Sequence, residues 1–292
     1  MTTVSAGWPA PAKINRFLHI TGRRADGYHT LQTVFQFVEP VDELTFTLTE
    51  TSQITRTGGL VGLPEAQDLV IRAAELLRAK AGIHAGVHVH LEKRIPSGAG
   101  LGGGSSDAAT TLVALNHLWQ CKLTKNTLME LGLQLGADVP IFIGGLAAWA
   151  EGVGDRLTPM ALNKPWLLIV DPGVSVSTAA IFSDSKLTRN SAALTIRAVD
   201  DERMRNDCEP VVRRLYPGVA AALDEVAKLG AARLTGTGGC LFAEFASQKA
   251  ALAAQQALSK GRQSWVCQAS NQSPLCDRLK IEGIDNWGVA KR

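Results

Sequence analysis

The stretch PSGAGLGGGSSDAA, residues 96–109, constrains the fold of this chain more than any other. Five of its residues are glycine, at positions 98, 100, 102, 103 and 104. The alternating strand pattern of Val87–Glu92 precedes it, and a helical pattern from about Ser106 to Leu118 follows. Glycines let successive backbone N–H groups converge on an anion, and the start of a helix adds its positive dipole end. The stretch therefore predicts a phosphate-binding loop between a strand and a helix.

The glycine spacing matches two known nucleotide motifs only in part. Gly98, Gly100 and Gly103 satisfy G-x-G-x-x-G, but no acidic residue follows about 20 positions later, since residues 118–122 read LWQCK. Gly98 and Gly103 also fit the P-loop spacing, but Gly104 stands where that motif has its lysine. A mobile surface loop is a further alternative, which the flanking strand and helix disfavour. We interpret the loop as a phosphate cradle of neither known type.

Strand and helix patterns on both sides of the loop are mixed without strict alternation. The predicted strands are Ala12–Ile20, Leu31–Val38, Leu44–Thr49, Val87–Glu92, Ala147–Glu151, Trp166–Val170, Cys240–Phe245 and Trp265–Gln268. Helices are predicted from Asp68 to Gly82, from Thr124 to Gly136, and around 209–216, 219–229 and 248–258. Glycines and prolines in residues 151–165 indicate a boundary near residue 160. We therefore expect an α+β fold of two lobes, residues 1–160 and 161–292.

Composition excludes several classes of protein. The chain has 292 residues, 46% hydrophobic and 20% charged, with a net charge of +3, which is too small for a nucleic-acid coat. Its five cysteines are far apart, odd in number and without a C-x-x-C pair, so neither a disulfide framework nor a zinc site is expected. No secretory signal or membrane-spanning run is visible. We expect a soluble, cytoplasmic protein.

Two charged residues are candidates for chemistry. Asp138 lies in LGADVP (135–140), on a short turn after Gly136. It fits a general base, but an aspartate that caps a helix near Pro140 fits the same pattern equally well. Lys13 shares a strand face with Asn15. It fits a group that stabilises charge on a reacting oxygen, or a lysine at a strand end with its ammonium group in water.

Two further polar motifs have open interpretations. The turn Thr235–Gly239 (TGTGG) either closes over a phosphate or makes a tight entry into the next strand. His88 and His90 lie on the polar face of a strand, where a solvated pair is more common than a metal site, because no third ligand is near in sequence.

Four segments together resemble the GHMP family of small-molecule kinases: PAKIN (11–15), PSGAGLGGGSSDAA (96–109), LGADVP (135–140) and LTGTGG (234–239). The resemblance implies a two-lobed α+β fold with its active site in the cleft between the lobes. It also implies that ATP, carrying Mg²⁺, is bound in the first lobe by Pro96, Gly98, Gly100, Leu101, Gly102, Gly103, Gly104, Ser105 and Ser106.

The resemblance also implies roles for the charged pair and a class of substrate. Asp138 would be the general base and Lys13 its charged partner. The longer runs 11–38 and 150–155 are similar to a branch of the family that phosphorylates an alcohol carrying a cytidine diphosphate group, in the synthesis of isoprenoid precursors. Tyr28 and Phe182 would sandwich the cytosine, with His29 at its edge. The other implied substrate contacts are Phe35, Asn15, Thr178, Gly236, Thr237 and Gly238.

Other functions remain open from the sequence. Another kinase of this fold, acting on homoserine or mevalonate, would need no cytidine pocket. An NAD-dependent dehydrogenase would use the glycine fingerprint, and a nucleic-acid-binding module would need a basic stripe that the chain lacks. We expect a small-molecule substrate, no nucleic-acid or membrane partner, and a monomer or weak homodimer.

Overall fold

The computed structural model describes residues 3–196, 204–285 and 287, and it contains two β-sheets with helices packed on them. This confirms the α+β prediction. Residues 197–203, 286 and 288–292 of the predicted second lobe lie outside the described part of the chain.

The larger sheet is built around a long antiparallel ribbon of β1 (Val4–Arg23) and β2 (His29–Thr49). The other strands are β3 (Ile54–Gly58), β4 (Gly86–Glu92), β5 (Ala148–Glu151) and β6 (Arg156–Pro159), in the order β3-β4-β2-β5-β6.

The prediction of two separate strands at 31–38 and 44–49 was wrong, because β2 runs through both. Pro11 pairs with Val41 but Ala12 pairs with Val38, so two extra residues of β2 bulge out of the ladder without ending it.

Four helices cover this sheet: α1 (Leu69–Ala81), α2 (Gly103–Leu118), α3 (Lys125–Leu135) and α4 (Val139–Gly144). The Asp68 carboxylate caps α1 by accepting hydrogen bonds from two backbone N–H groups, and Thr124 caps α3, both as predicted. However, α2 begins at Gly103 and not near Ser106. Glycines are poor helix formers, but this turn is packed tightly against Lys93 and Ile95, so tertiary contacts override local preference.

The smaller sheet has the order β10-β7-β9-β8. Its strands are β7 (Trp166–Asp171), β8 (Ala232–Leu234), β9 (Leu241–Phe245) and β10 (Gln263–Gln268). Among the described residues of this half of the chain, the helices are α5 (Thr178–Ser183), α6 (Glu209–Leu215), α7 (Pro217–Ala227), α8 (Gln248–Gln256) and α9 (Pro274–Ile281). Helix α9 returns to the first lobe, where Leu275 and Leu279 join the core under the larger sheet. The lobe boundary near residue 160 stays a prediction.

An apolar cluster shared by both sheets joins the lobes. Ile14, Ile95 and Leu101 from the first lobe pack in one cluster with Leu167 and Phe242 from the second. Because Leu101 belongs to the glycine-rich loop, this cluster anchors that loop at the junction of the lobes.

All five cysteines are free, as the sequence predicted. Among the described residues, no helix combines the length and the apolar character that crossing a bilayer requires.

Candidate active site

A cavity of about 950 Å³ lies between the lobes. Most of the residues chosen from the sequence line it: Lys13, Asn15, Tyr28, His29, Phe35, Pro96, Gly98, Gly100, Gly102, Gly103, Gly104, Ser105, Asp138, Thr178, Phe182, Gly236, Thr237 and Gly238. Leu101 and Ser106 do not line it. Leu101 is buried in the cluster that joins the lobes, and its carbonyl accepts a hydrogen bond from the Lys13 backbone N–H. Ser106 is fully buried, and its Oγ has no hydrogen-bond partner within the described residues.

The two glycine turns touch each other across the lobes. Gly100 has a φ of +76°, and a Cβ built there would lie 2.3 Å from the carbonyl oxygen of Thr235 and 2.9 Å from that of Gly238. Only glycine allows this approach without strain. The phosphate cradle predicted for residues 96–106 and the 235–239 turn therefore form adjoining walls of one cavity.

Lys13 and Asp138 form an ion pair beside the glycine-rich loop. The Lys13 side chain is 3% exposed, and its Nζ lies 3.2 Å from Asp138 Oδ2, 2.7 Å from Asn15 Oδ1 and 3.1 Å from the Gly100 carbonyl oxygen. Nζ also lies 5.4 Å from the centroid of the Phe35 ring. The lysine head is thus not in bulk water.

Asp138 occupies the N-cap position of α4, but its side chain makes no capping hydrogen bond. It faces Lys13 and is 35% exposed. Of the two interpretations left open by the sequence, the structure supports a carboxylate directed into the cavity.

Asn15 connects the charged pair to the second lobe. Its backbone N–H donates to Thr235 Oγ1 at 3.0 Å, and its Nδ2 donates to Thr33 Oγ1 at 2.9 Å. The hydroxyls of Thr178 and Thr237 are 2.8 Å apart at the cavity wall. These contacts bring the second-lobe turn to the Lys13 side of the cavity.

The aromatic end of the cavity differs from the expected arrangement. The ring stacked on Phe182 is that of His29, with centroids 5.1 Å apart and planes at 25°, and not that of Tyr28. Tyr28 lines the cavity with 65% of its surface exposed. A base sandwiched between Tyr28 and Phe182 stays a prediction, with His29 already covering part of the Phe182 face.

A buried cluster under the start of α2 was missed by the sequence analysis. Lys93 Nζ bonds Asp42 and lies 2.9 Å from Asp107 Oδ2, while Asp42 also accepts the backbone N–H groups of Arg94 and Ile95. Asp107 Oδ1 is buried without a partner among the described residues. A lysine just before the glycine-rich loop and Asp107 just after its glycines were usable signals, but their partner Asp42 comes from a distant segment.

Two carboxylates, those of Asp42 and Asp107, share the Lys93 ammonium group, and the pKa values of Asp107 and Lys93 are both shifted. Burial raises the pKa of Asp107 to about 7, and the neighbouring Asp42 adds to this while Lys93 opposes it. Burial pulls the pKa of Lys93 down, but the attraction of Asp107 and Asp42 outweighs it and raises that pKa above its ordinary value.

Beyond the glycine-rich loop the cavity becomes apolar. Leu60, Leu63, Leu69 and Leu91 line it there, together with Asp68 and Arg56, whose guanidinium bonds the Asp68 carboxylate. Lys93 also lines the cavity. Such a surface suits a flat aromatic base.

In residues 3–196, 204–285 and 287, no group of three or more His, Cys, Asp or Glu residues could hold a metal ion. His88 and His90 hydrogen-bond with threonines of β3.

Family models match both lobes. The model described as "GHMP kinases N terminal domain" matches residues 68–145, and "GHMP kinases C terminal" matches residues 186–262.

Relatives match nearly the whole chain. A protein of Nitrosococcus oceani named 4-diphosphocytidyl-2-C-methyl-D-erythritol kinase is 52% identical over 94% of this chain and 99% of its own length. A protein of the same name from Pseudomonas paraeruginosa is 51% identical over 93% and 96%. The crystal structure of a 4-(cytidine 5'-diphospho)-2C-methyl-D-erythritol kinase superimposes with a TM-score of 0.77 at 33% identity, covering 92% of this chain and 99% of that one. A homoserine kinase from Cytophaga hutchinsonii shares the fold, with a TM-score of 0.66 at 20% identity over 93% and 96%.

Proposed function

Because this chain belongs to the GHMP kinases, and within them to the 4-diphosphocytidyl-2-C-methyl-D-erythritol kinases, we propose that it phosphorylates the 2-hydroxyl of 4-diphosphocytidyl-2-C-methyl-D-erythritol with ATP, a step of non-mevalonate isoprenoid precursor synthesis. The observation that carries this proposal is one continuous cavity. It runs from the glycine-rich loop, past the Lys13–Asp138 pair, to the aromatic residues His29 and Phe182.

The charged pair supplies the chemistry. In this proposal Asp138 Oδ2 accepts the proton of the substrate 2-hydroxyl. The hydroxyl oxygen forms a bond to the γ-phosphorus of ATP, while the bond between the γ-phosphorus and the β–γ bridging oxygen breaks and ADP leaves. Lys13 holds the Asp138 carboxylate in place through their ion pair, and its charge stabilises the reacting oxygen. A loose phosphoryl transition state needs little from a base, so positioning by the two turns is expected to dominate.

The glycine-rich loop holds the phosphates. The first backbone N–H groups of α2, which starts at Gly103, have no partner within the helix and would bind an anion there, and the helix dipole would add to the attraction. Ser105, which lines the cavity at the start of α2, is suited to bind a phosphate oxygen or a magnesium-bound water. Mg²⁺ carried with ATP would neutralise charge on the phosphates.

The aromatic end favours the cytidyl substrate over homoserine or mevalonate. These smaller alcohols have no base to bind Tyr28, His29 and Phe182. A cytosine stacked on an aromatic ring gains about 1–3 kcal/mol.

An assay that couples ADP release to a colour change tests the proposal. We expect turnover with 4-diphosphocytidyl-2-C-methyl-D-erythritol and none at equal concentrations of homoserine or mevalonate. Faster turnover of either small alcohol would refute the cytidyl assignment. Tight binding of NADH with no binding of ATP would refute the kinase assignment itself.

A further inference from the structure

Asn206 is a buried asparagine whose side chain holds the second glycine-rich turn, Thr235–Gly239. Only 6% of its surface is exposed. Its Nδ2 donates to the carbonyl oxygens of Leu234 at 3.0 Å and Gly236 at 2.7 Å. Its Oδ1 accepts the backbone N–H of Cys208 at 2.9 Å, which fixes the orientation of the side-chain amide. Both hydrogens of Nδ2 are therefore used on the same turn.

The backbone around Asn206 is attached to β1, the strand that carries Lys13. Asn206 forms an isolated parallel bridge with Leu18 of that strand. The Leu18 N–H donates to the Arg205 carbonyl oxygen at 3.0 Å, and the Leu18 carbonyl oxygen accepts the Asp207 N–H at 2.8 Å. Asn206 thus connects the turn to the strand on which Lys13 is placed.

The side chain of Asn206 determines which way one peptide group of the turn faces. The peptide bond between Gly236 and Thr237 is trans, so its C=O and N–H point in opposite directions. Asn206 holds the carbonyl on the buried side, and the Thr237 N–H therefore points away from Asn206.

The Thr237 N–H is available to a ligand. Gly236, Thr237 and Gly238 line the cavity, whereas Asn206 does not. Within the part of the chain that the structure describes, the Thr237 N–H has no hydrogen-bond partner. A backbone N–H that a concave turn presents in this way is a donor for the oxygen of an anion.

We propose that Asn206 is a positioning residue for substrate binding, because it turns the Gly236–Thr237 peptide so that the Thr237 N–H donates to the diphosphate of the substrate. This inference rests on the proposed function, in which the turn faces the diphosphate of the cytidyl substrate. Hydrogen bonds to a charged phosphate oxygen are stronger than those between neutral groups, so the orientation of this one peptide affects affinity.

Binding of CDP and of cytidine separates the diphosphate contact from the rest of the site. Both are measured by calorimetry with saturating ADP, which keeps CDP out of the ATP site. The readout is the ratio of the two dissociation constants, in wild type and in Asn206→Leu, which has a similar size but no donor. We expect the preference for CDP over cytidine to fall about tenfold in Asn206→Leu, with the affinity for cytidine and the KM for ATP unchanged.

Asn116→Leu is the matched control. The Asn116 side chain also bridges backbone groups, since it donates to the Leu123 carbonyl oxygen at 3.1 Å and accepts the Leu123 N–H at 3.0 Å, but it does not line the cavity. We expect this variant to keep the wild-type preference. An equal fall in Asn116→Leu, or an equal loss of affinity for CDP and cytidine in Asn206→Leu, would show a general loss of order and overturn the proposal.

The amide resonance of Thr237 tests the inference in the wild type, even if Asn206→Leu does not fold. We expect its proton shift to move downfield when CDP binds and not when cytidine binds, and the same response to both would overturn the proposal. An unchanged preference for CDP in Asn206→Leu would refute the role of Asn206 alone. A wild-type enzyme that binds CDP but releases no ADP with the cytidyl substrate would refute the proposed function alone.

Discussion

Replacement of Asp107 by asparagine should change how the stability of this protein depends on pH. Asp107 is buried beside Asp42, its Oδ1 has no partner among the described residues, and its pKa is raised to about 7. The folded state therefore holds a proton that the unfolded chain, with an ordinary aspartate pKa, releases near pH 4. Because the folded state binds more protons in this window, stability falls as pH rises from about 4 to 7. The amide side chain of the Asp107→Asn variant has no such proton to lose.

The size of this effect follows from the two pKa values. With a folded pKa of about 7 and an ordinary pKa of 3.8, wild type loses on the order of 2–3 kcal/mol of unfolding free energy between pH 5 and pH 8 from this one group. The Asp107→Asn variant does not lose this free energy. Its unfolding free energy relative to wild type therefore rises by the same amount between pH 5 and pH 8.

Urea unfolding followed by circular dichroism at the two pH values measures the difference. Asp277→Asn is the control, because that carboxylate is 68% exposed and pairs with Lys280 at the surface. We expect Asp277→Asn to track wild type at both pH values. A constant gap between Asp107→Asn and wild type, or a gap that moves toward lower stability at pH 8, would refute the reasoning about the buried cluster.

The remaining predictions concern the cavity. Asp138→Asn is expected to lower kcat by about 10²–10⁴ with little change in the KM for ATP, and Lys13→Ala to act likewise; equal losses in both parameters would contradict their roles. Tyr28→Ala should raise the KM for the cytidyl substrate about tenfold through lost stacking, and an unchanged KM would remove the sandwich. Gly100→Ala should destabilise the protein by about 1–3 kcal/mol and raise the KM for ATP, because its Cβ meets the Thr235 carbonyl. Gly173→Ala is the control, because Gly173 has a similar φ of +71° but no atom lies within 4 Å of a Cβ built there. This variant should lose only the stability that backbone strain costs. An equal rise in the KM for ATP in both variants would argue against the importance of the contact between Gly100 and Thr235.

Local signals predicted the parts of the fold that depend on neighbouring residues. The caps at Asp68 and Thr124 were found because a helix start needs an oxygen within a few residues of its first N–H groups. The glycine-rich loop was recognised because its five glycines lie close together in the sequence, between a strand pattern and a helix pattern. The short elements β3, β6, β8, α5 and α9 were missed, since segments of three to eight residues carry little periodicity.

Contacts between distant segments were beyond local reasoning. Lys13 and Asp138 came together only through the family resemblance, because their own patterns fitted surface roles equally well. Asp42 gave no signal, since its hydrogen-bond partners lie more than 50 residues away in the chain. The start of α2 at Gly103 was missed because burial against Lys93 and Ile95 outweighs the weak helix preference of glycine.

The backbone contacts of Lys13 and Asn15 bear on how the two substrates are aligned. The N–H of Lys13 is held by the Leu101 carbonyl of one lobe, and that of Asn15 by the Thr235 hydroxyl of the other. These two anchor points are about 7 Å apart along a single strand. In the proposed function, the distance between the loop that binds the nucleotide and the turn that binds the substrate diphosphate is therefore set by two covalently linked residues of β1. A hinge motion between the lobes would then change the alignment of the substrate hydroxyl oxygen with the γ-phosphorus far less than it changes the width of the cleft opening.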